Sequence, residues 1–222
     1  MVMQAKYPVK SHGKLIMIIL FSLAVLISAV FYFGIFRHIP AQQEARIDGV
    51  VLTTPQDMMN FQLTDNSGNP YSQANLKGHW TMMFFGFTNC GMVCPTTMAA
   101  LNQMYKALQQ ELPDNQLPSV IMVSVDPERD TVARMNEYVN AFNPNFIGLR
   151  GEMPQIEALE KNLHLVSVKM QAGSGKNQYT INHSAEIMIF NPQGQLQALM
   201  AYPHKPDQME QDYKTLLKTR LS

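Results

Sequence analysis

Cysteine is nearly absent from this chain: it has two in 222 residues, Cys90 and Cys94. Any thiol chemistry therefore falls on one short turn, Cys90-Gly91-Met92-Val93-Cys94-Pro95. An excess of one charge is also missing, since 17 basic residues face 17 acidic ones. A nucleic-acid-binding surface would be strongly basic, so that class of partner is excluded. No internal repeat or low-complexity segment is present, and no coiled coil or large apolar patch is evident in the polar part of the chain, so a monomer is expected.

Charge is missing altogether from residues 15–36, an apolar run of 22 interrupted only by Ser22, Ser28 and Gly34. At ~1.5 Å per residue such a helix covers about 33 Å, enough for a bilayer core. A cleavable signal sequence has a shorter apolar stretch and small residues at its cut site. This run instead continues into Tyr32, Phe33, Phe36, Arg37 and His38, which reads as an uncleaved transmembrane anchor. Lys6, Lys10 and Lys14 precede it with no acidic residue, whereas Arg37 and Arg46 beyond it are offset by Glu44 and Asp48. That bias keeps the N-terminus cytoplasmic. The expected organisation is a cytoplasmic segment 1–14, an anchor 15–36, a polar tether 37–50 and one soluble domain 51–222, large enough to bury a core. Beyond residue 36 the chain holds 14 basic and 17 acidic residues, a net charge of −3. The segment ahead of the anchor is too short for an obvious organelle transit peptide. The expected location is therefore a bacterial inner membrane, with the domain in the periplasm, where glutathione does not hold thiols reduced.

Within the domain, Phe61 and Leu63 followed by Asn66-Ser67-Gly68-Asn69-Pro70 predict a short strand and a turn. The continuous apolar runs Trp80–Phe87 and Ser119–Val125 predict strands buried on both faces. The cysteine turn directly follows the first of these. Pro95, Met98, Leu101, Met104, Tyr105 and Leu108 then mark a helix that ends before Pro113. Asp130 is read as the cap of a second helix with Val132, Met135, Tyr138, Val139 and Phe142 on its inner face. A third helix is expected over 153–163 and a strand over 165–168. After the polar loop 171–177, residues 179–183 lead into a strand at 186–190, a turn at Asn191–Gly194 and a returning strand at 195–200. A last helix carries Met209, Tyr213, Leu216 and Leu217. Strands alternating with helices predict an α/β domain with a central mixed sheet and flanking helices. A cysteine pair between a buried strand and a helix start is the thioredoxin-like arrangement.

Four residues apart on one helical turn, Cys90 and Cys94 can close a disulfide, converge on a soft metal ion, or alternate between the two. Cys94, next to Pro95, is expected near the N-cap, where the helix dipole favours a thiolate. Redox thioredoxins space their cysteines by two residues; this turn has three. Two thiolates on a soft ion such as Cu(I) usually need a third ligand. Six histidines are available. His12 is on the cytoplasmic side, His38 is at the membrane, His79 precedes a buried strand, His164 ends a helix and His204 lies in a proline-flanked loop. His183 follows the glycine-containing loop and precedes a sheet strand, which sets it apart, although a lone histidine is more often structural. Met92 between the cysteines is a further thioether candidate, while most of the 17 methionines suit core positions.

Three segments then carry a resemblance: Phe85-Gly-Phe-Thr-Asn-Cys90-Gly-Met-Val-Cys94-Pro95, Val123-Ser-Val-Asp126-Pro-Glu-Arg129-Asp-Thr131, and Asn182-His183-Ser184. In this order and spacing they resemble the Sco/SenC copper chaperones, which are membrane-anchored, thioredoxin-like proteins that assist assembly of the binuclear copper site of cytochrome c oxidase. The resemblance implies one copper ion, Cu(I) or Cu(II), held by Cys90, Cys94 and His183. It implies a copper-receiving oxidase subunit as partner, and places Asp126 near the metal or facing a partner; a plain turn residue before Pro127 is the alternative. The chain departs from the family pattern at Asn89, where histidine is frequent, at Gly91-Met92, where Pro-Asp is frequent, and at Asn182, where aspartate is frequent. No departure removes a ligand.

The alternative function is a periplasmic thiol–disulfide oxidoreductase in which Cys90 attacks a disulfide and Cys94 resolves the mixed disulfide, with a thiol reductant as partner. A peroxidase of the thioredoxin superfamily would need an arginine and a threonine activating one cysteine, and no such signature surrounds Cys90.

Overall fold

The computed structural model describes residues 13–37, 47–175 and 178–219. The chain divides into two compact units, 1–44 and 45–222. In the first, helix α1 runs Gly13–Arg37. Its described side chains cover only residues 16–32, and among the described residues no helix is long and apolar enough to cross a membrane. Most of the expected cytoplasmic segment and most of the expected tether lie outside the described residues.

The second unit opens with β1 (Gly49–Gln56), β2 (Gln62–Asp65) and β3 (Pro70–Ser72). It continues through β4 (Thr81–Gly86), α2 (Val93–Glu111), β5 (Ser119–Ser124), α3 (Val132–Phe142), β6 (Ile147–Arg150) and α4 (Met153–Asn162). It closes with β7 (Ser167–Gln171), β8 (Tyr179–His183), β9 (Ile187–Phe190), β10 (Leu196–Met200) and α5 (Pro206–Thr219). Eight strands form one sheet in the order β1-β10-β9-β4-β5-β6-β2-β3. β4 runs parallel to β5 and β5 to β6, while β9 joins β4 antiparallel. This is the thioredoxin-like mixed sheet with flanking helices that the residue pattern predicts.

The apolar runs are continuous because the central strands are covered on both faces. Met82 and Phe84 enter one core cluster with Met98, Leu101, Met135 and Tyr213, so α2, α3 and α5 cover that side. Met83 and Phe85 enter the other, with Ile156 and Leu159 of α4. Period-two alternation thus feeds two cores instead of one core and solvent. Truncating a side chain such as Leu101, which is fully buried, costs about 2–5 kcal/mol.

Three strands escape the sequence pattern: β3, which starts at Pro70, the end of the expected turn, and β6 and β1. β6 is four residues long and ends in Arg150, so its apolar signal is brief. β1 is an edge strand that contains Pro55 and has no buried residue; edges tolerate proline because one ladder side is unpaired. β1 begins at Gly49, just inside the stretch read as tether. The strand expected at 165–168 is also displaced: β7 spans 167–171 and pairs only with β8, in a separate two-stranded ribbon.

Asp130 does not cap α3. Thr131 holds that position, its hydroxyl accepting from the Arg134 amide at 3.2 Å. Asp130 is fully buried, because the interior of the cysteine turn needs its carboxylate.

Candidate metal centre

Backbone and buried polar groups bring Cys90 into place. β4 ends at Gly86, where an added Cβ would lie 2.8 Å from the Cys94 sulfur and 3.1 Å from the Phe84 ring. Only glycine lets the strand pass so close to the thiol. After Gly86 the chain turns, and the Cys90 amide donates to the Phe87 carbonyl at 3.1 Å. Thr88 in this turn is anchored through both backbone and side chain: its amide donates to Asp130 Oδ2 at 3.1 Å and its hydroxyl to Oδ1 at 2.5 Å. Ser124, at the end of β5, donates to the same carboxylate at 2.6 Å. Arg134 ties the outer side, donating to the Thr88 hydroxyl at 2.6 Å and to Asn89 Oδ1 at 2.5 Å.

α2 begins at Val93, with Met92 in the N-cap position and no side-chain cap from it. A cysteine sulfur takes that place: the Cys94 amide donates to Cys90 Sγ at 3.4 Å. The expectation for the thiolate is therefore corrected, because the helix start serves Cys90 and not Cys94. The hydrogen bond from the Cys94 side chain holds the Cys90 thiol well below its usual range, helped by His183 and by the amides of Cys94 and Met92, while burial opposes this. The same hydrogen bond, together with burial, pushes Cys94 up. Cys90 is half-buried and Cys94 fully buried. The pair is thus an accessible thiolate beside a covered thiol.

His183 reaches the pair from the end of β8. Its Nε2 lies 3.4 Å from Cys94 Sγ. Its Nδ1 lies 2.7 Å from the Ser184 carbonyl, which can only accept, so Nδ1 carries the hydrogen and Nε2 is turned to the sulfurs. Burial lowers the basicity of this ring, but the Cys90 thiolate and the Ser184 carbonyl overcome it and raise the value. Phe87, almost wholly buried, packs edge-on against the imidazole with ring centroids 5.8 Å apart. The ligand atoms of Cys90, Cys94 and His183 all lie within 4.8 Å of one another. Two sulfurs and one imidazole nitrogen at that spacing suit a single soft metal ion.

Asp126 is 3% exposed. It accepts from the Tyr179 hydroxyl at 2.7 Å and from Arg129 Nε. The Arg129 guanidinium lies 3.7 Å over the Tyr179 ring and 5.7 Å from the Phe87 centroid. Asp126 therefore touches neither cysteine in any described contact; its route to His183 passes through Arg129 and Phe87. Met92 is 72% exposed. The other described histidines stand apart from the cluster. His164 is exposed, in the left-handed region (φ 58°) just beyond α4. His204 is buried and bonds the Ala185 carbonyl at 2.8 Å. His79 is half-buried, and His12 and His38 lie outside the described residues.

Sequence reasoning missed Asp130, Ser124 and Arg134 as supports of the turn, and Gly86 as the space for Cys94. Gly86 stands inside the Phe-Gly-Phe stretch already singled out, and a glycine interrupting a buried apolar strand is a signal of close approach. Nothing local marks Asp130, since Asp-Thr before a helix reads equally as two caps.

Comparison with known proteins agrees with this architecture. The SCO1/SenC family profile matches residues 52–218. The chain is 37% identical over 137 residues to the mitochondrial SCO2 homolog of Mus musculus, covering 61% of this chain but only 52% of that one; it spans about half the length of that relative. Bradyrhizobium japonicum ScoI with copper bound is similar at 31% identity and a TM-score of 0.63, over 71% of this chain and 97% of that one. The apo Sco1 protein of Thermus thermophilus is similar at 30% identity and a TM-score of 0.68, over 78% of this chain and 99% of that one.

Proposed function

This chain belongs to the SCO1/SenC family, and on that premise we propose that it is a membrane-anchored copper-binding chaperone. Cys90, Cys94 and His183 would hold one copper ion, Cu(I) or Cu(II), and pass it by ligand exchange to the copper-receiving subunit of cytochrome c oxidase. The observation that carries the reading is the convergence of these three donors within 4.8 Å, from a turn and a ribbon remote in sequence. The pairing of the His183 Nδ1 with a backbone carbonyl supports it, because it leaves Nε2 free to ligate. The apolar run 15–36 would be the anchor, with unit 45–222 in the periplasm. Fractionation tests that part: the full chain should sediment with membranes at high salt, and a chain starting after residue 36 should not.

The decisive measurement is copper stoichiometry on the reduced protein. One ion per chain is expected. His183→Ala should abolish tight binding yet leave the Cys90–Cys94 redox couple intact, and wild-type stoichiometry and affinity in that variant would refute the assignment. The Cys90–Cys94 disulfide form should take up no copper.

The unequal cysteines favour one second reading, thiol–disulfide exchange. The Cys90 thiolate would attack one sulfur of a target disulfide and expel the other as a thiolate. Cys94 would then attack Cys90, closing the intramolecular disulfide and releasing the reduced target. An external thiol reductant would reopen it. That reading requires target reduction that survives His183→Ala.

A further inference from the structure

One turn grips both halves of the centre. Residues 126–130, between β5 and α3, are closed by the Arg129 and Asp130 amides, which donate to the Asp126 carbonyl at 3.1 and 2.9 Å. Arg150 ties the turn to β6, donating to the Asp130 and Pro127 carbonyls at 3.0 and 3.3 Å. From this platform Asp130 reaches Thr88, two residues before Cys90. Its chain neighbour Arg129 reaches Tyr179, four residues before His183. Arg129 Nη1 donates to the Tyr179 carbonyl at 3.1 Å and Nε donates to Asp126. The guanidinium carbon lies 3.7 Å from the Tyr179 ring centroid and 5.7 Å from that of Phe87. The Tyr179 hydroxyl closes the loop on Asp126 at 2.7 Å.

The ribbon needs such a hold. Two strands by themselves are marginally stable, and β7–β8 shares no ladder with the main sheet. Tyr179 and Ile181 bury their side chains in a core cluster, but hydrophobic burial is non-directional and does not aim a side chain at a point. The Lys169–Glu128 pair is about half-exposed and holds weakly, and the Ser167 bond to Glu160 grips β7 alone. His204 holds the Ala185 carbonyl, beyond the end of β8, from a loop that carries no part of the cysteine turn. Arg129 instead fixes the β8 backbone in direction and distance from the turn that seats Cys90. Tyr179, Ile181 and His183 alternate on one face of β8, so Tyr179 stands about 13 Å from His183 along the strand. A tilt of about 5° over that length moves the imidazole by about 1 Å, the looseness at which a built site fails.

We propose that Arg129 is the positioning residue for the third ligand: its fork ties β8 to the platform of the cysteine turn and so aims the His183 imidazole at the two sulfurs. This rests on the copper reading above. Among the described contacts Arg129 touches no ligand; it acts through Tyr179 and through Phe87, whose ring packs edge-on against the imidazole. The role calls for arginine. A planar guanidinium bonds Asp126 and the Tyr179 carbonyl along its edge while its face covers the aromatic ring, whereas the ammonium of lysine keeps the charge but has no such plane. The competing role for Arg129 is to neutralise the buried Asp126, and lysine would fill that role.

The test is a double-mutant cycle on the reduced full chain in detergent, with Arg129→Lys and His183→Ala, read as Cu(I) affinity by competition with a chelator. With His183 present, Arg129→Lys should lower affinity about tenfold, the scale of a lost supporting contact. In the His183→Ala background, where two thiolates alone bind, the same change should alter affinity by less than about twofold. In the reduced apo protein, amide hydrogen exchange over 178–183 should quicken in Arg129→Lys while that over 87–94 stays at the wild-type rate. Wild-type affinity in Arg129→Lys would assign the side chain to neutralising Asp126 and overturn the proposal. An equal loss in both backgrounds, or exchange that quickens in both segments or in neither, would overturn it too. Should Arg129→Lys unfold at lower denaturant than the wild type, Tyr179→Leu takes its place in the cycle. That change leaves the Asp126–Arg129 pair and removes the ring; a several-fold loss confined to the chain with His183 is expected, and no loss or an equal loss in both backgrounds would overturn the proposal. A wild-type chain that binds no copper, or binds it only as well as His183→Ala does, would overturn the copper reading and this inference together.

Discussion

The cysteine turn grows directly out of the eight-stranded sheet, whereas His183 arrives on a ribbon that shares no backbone ladder with it. The turn is bound by a buried carboxylate, Asp130, that collects three hydrogen bonds from Thr88 and Ser124, and its second cysteine is packed against Gly86 in the core. The ribbon seats Tyr179 and Ile181 in the second core cluster, and its remaining ties, through Ser167, Lys169 and Arg129, are single hydrogen bonds and one ion pair. The Asp130 bonds are satisfied in a low-dielectric interior, where breaking them is costly. The Lys169–Glu128 pair is about half-exposed on both sides and so contributes little. On the proposed delivery of copper, the contrast would let the centre keep two ligands in place and release through the third.

The comparison can be broken most sharply at His183. His183→Ala should lower copper affinity more than a hundredfold, as loss of a whole ligand exceeds the 10–100-fold typical of supporting groups, with no comparable loss of folding stability. Competition with a copper chelator reads the first and denaturant unfolding the second, and a large stability loss would show the ribbon to be as integral as the turn.

The thiols come next. The folded value of Cys90 lies below the ordinary thiol value and that of Cys94 above it. An ordinary thiol loses its thiolate as pH falls below about 8.5, while Cys90 should keep it. In the reduced apo protein at pH 7, Cys90 should alkylate at least about tenfold faster than Cys94, measured by peptide mass after iodoacetamide. Equal rates would mean that the turn does not differentiate its sulfurs.

Asp130→Ala should then destabilise the fold by about 3 kcal/mol, since it strands the buried Thr88 amide and two hydroxyls. Chemical denaturation measures this, and a loss under about 1 kcal/mol would remove the turn's claimed rigidity. Tyr179→Phe on the ribbon side should cost least, about 1 kcal/mol for the hydroxyl bond to Asp126. It should leave copper stoichiometry at one; a cost matching Asp130→Ala would erase the contrast.

Much of this was legible in the residue order. The buried runs around Phe84 and Ile121, the helix periodicity from Met98 to Leu108 and the cysteine spacing all report local rules, namely period two, period 3.6 and one turn of helix. What stayed hidden depends on distant partners. Asp130 read as a cap because its true donors include Thr88, 42 residues away. β6 was hidden because four residues between β5 and β2 carry too short a pattern. The register of β7 could not be read, since Val-Ser-Val-Lys-Met suggests apolar residues facing inward and the structure does the reverse.

Taken alone, the order of residues determined that all thiol chemistry sits at one strand-to-helix turn, that the apolar strands before and after it, around Phe84 and Ile121, are buried on both sides, and that His183 is the distinctive imidazole. Only the tertiary structure decided which sulfur carries the charge, which nitrogen faces it and which side of the ribbon meets solvent. The deciding hydrogen bonds join near neighbours, Cys90 with Cys94 and His183 with Ser184, but the Cys94–His183 contact spans 89 residues, and that geometry exists only once the chain has closed upon itself.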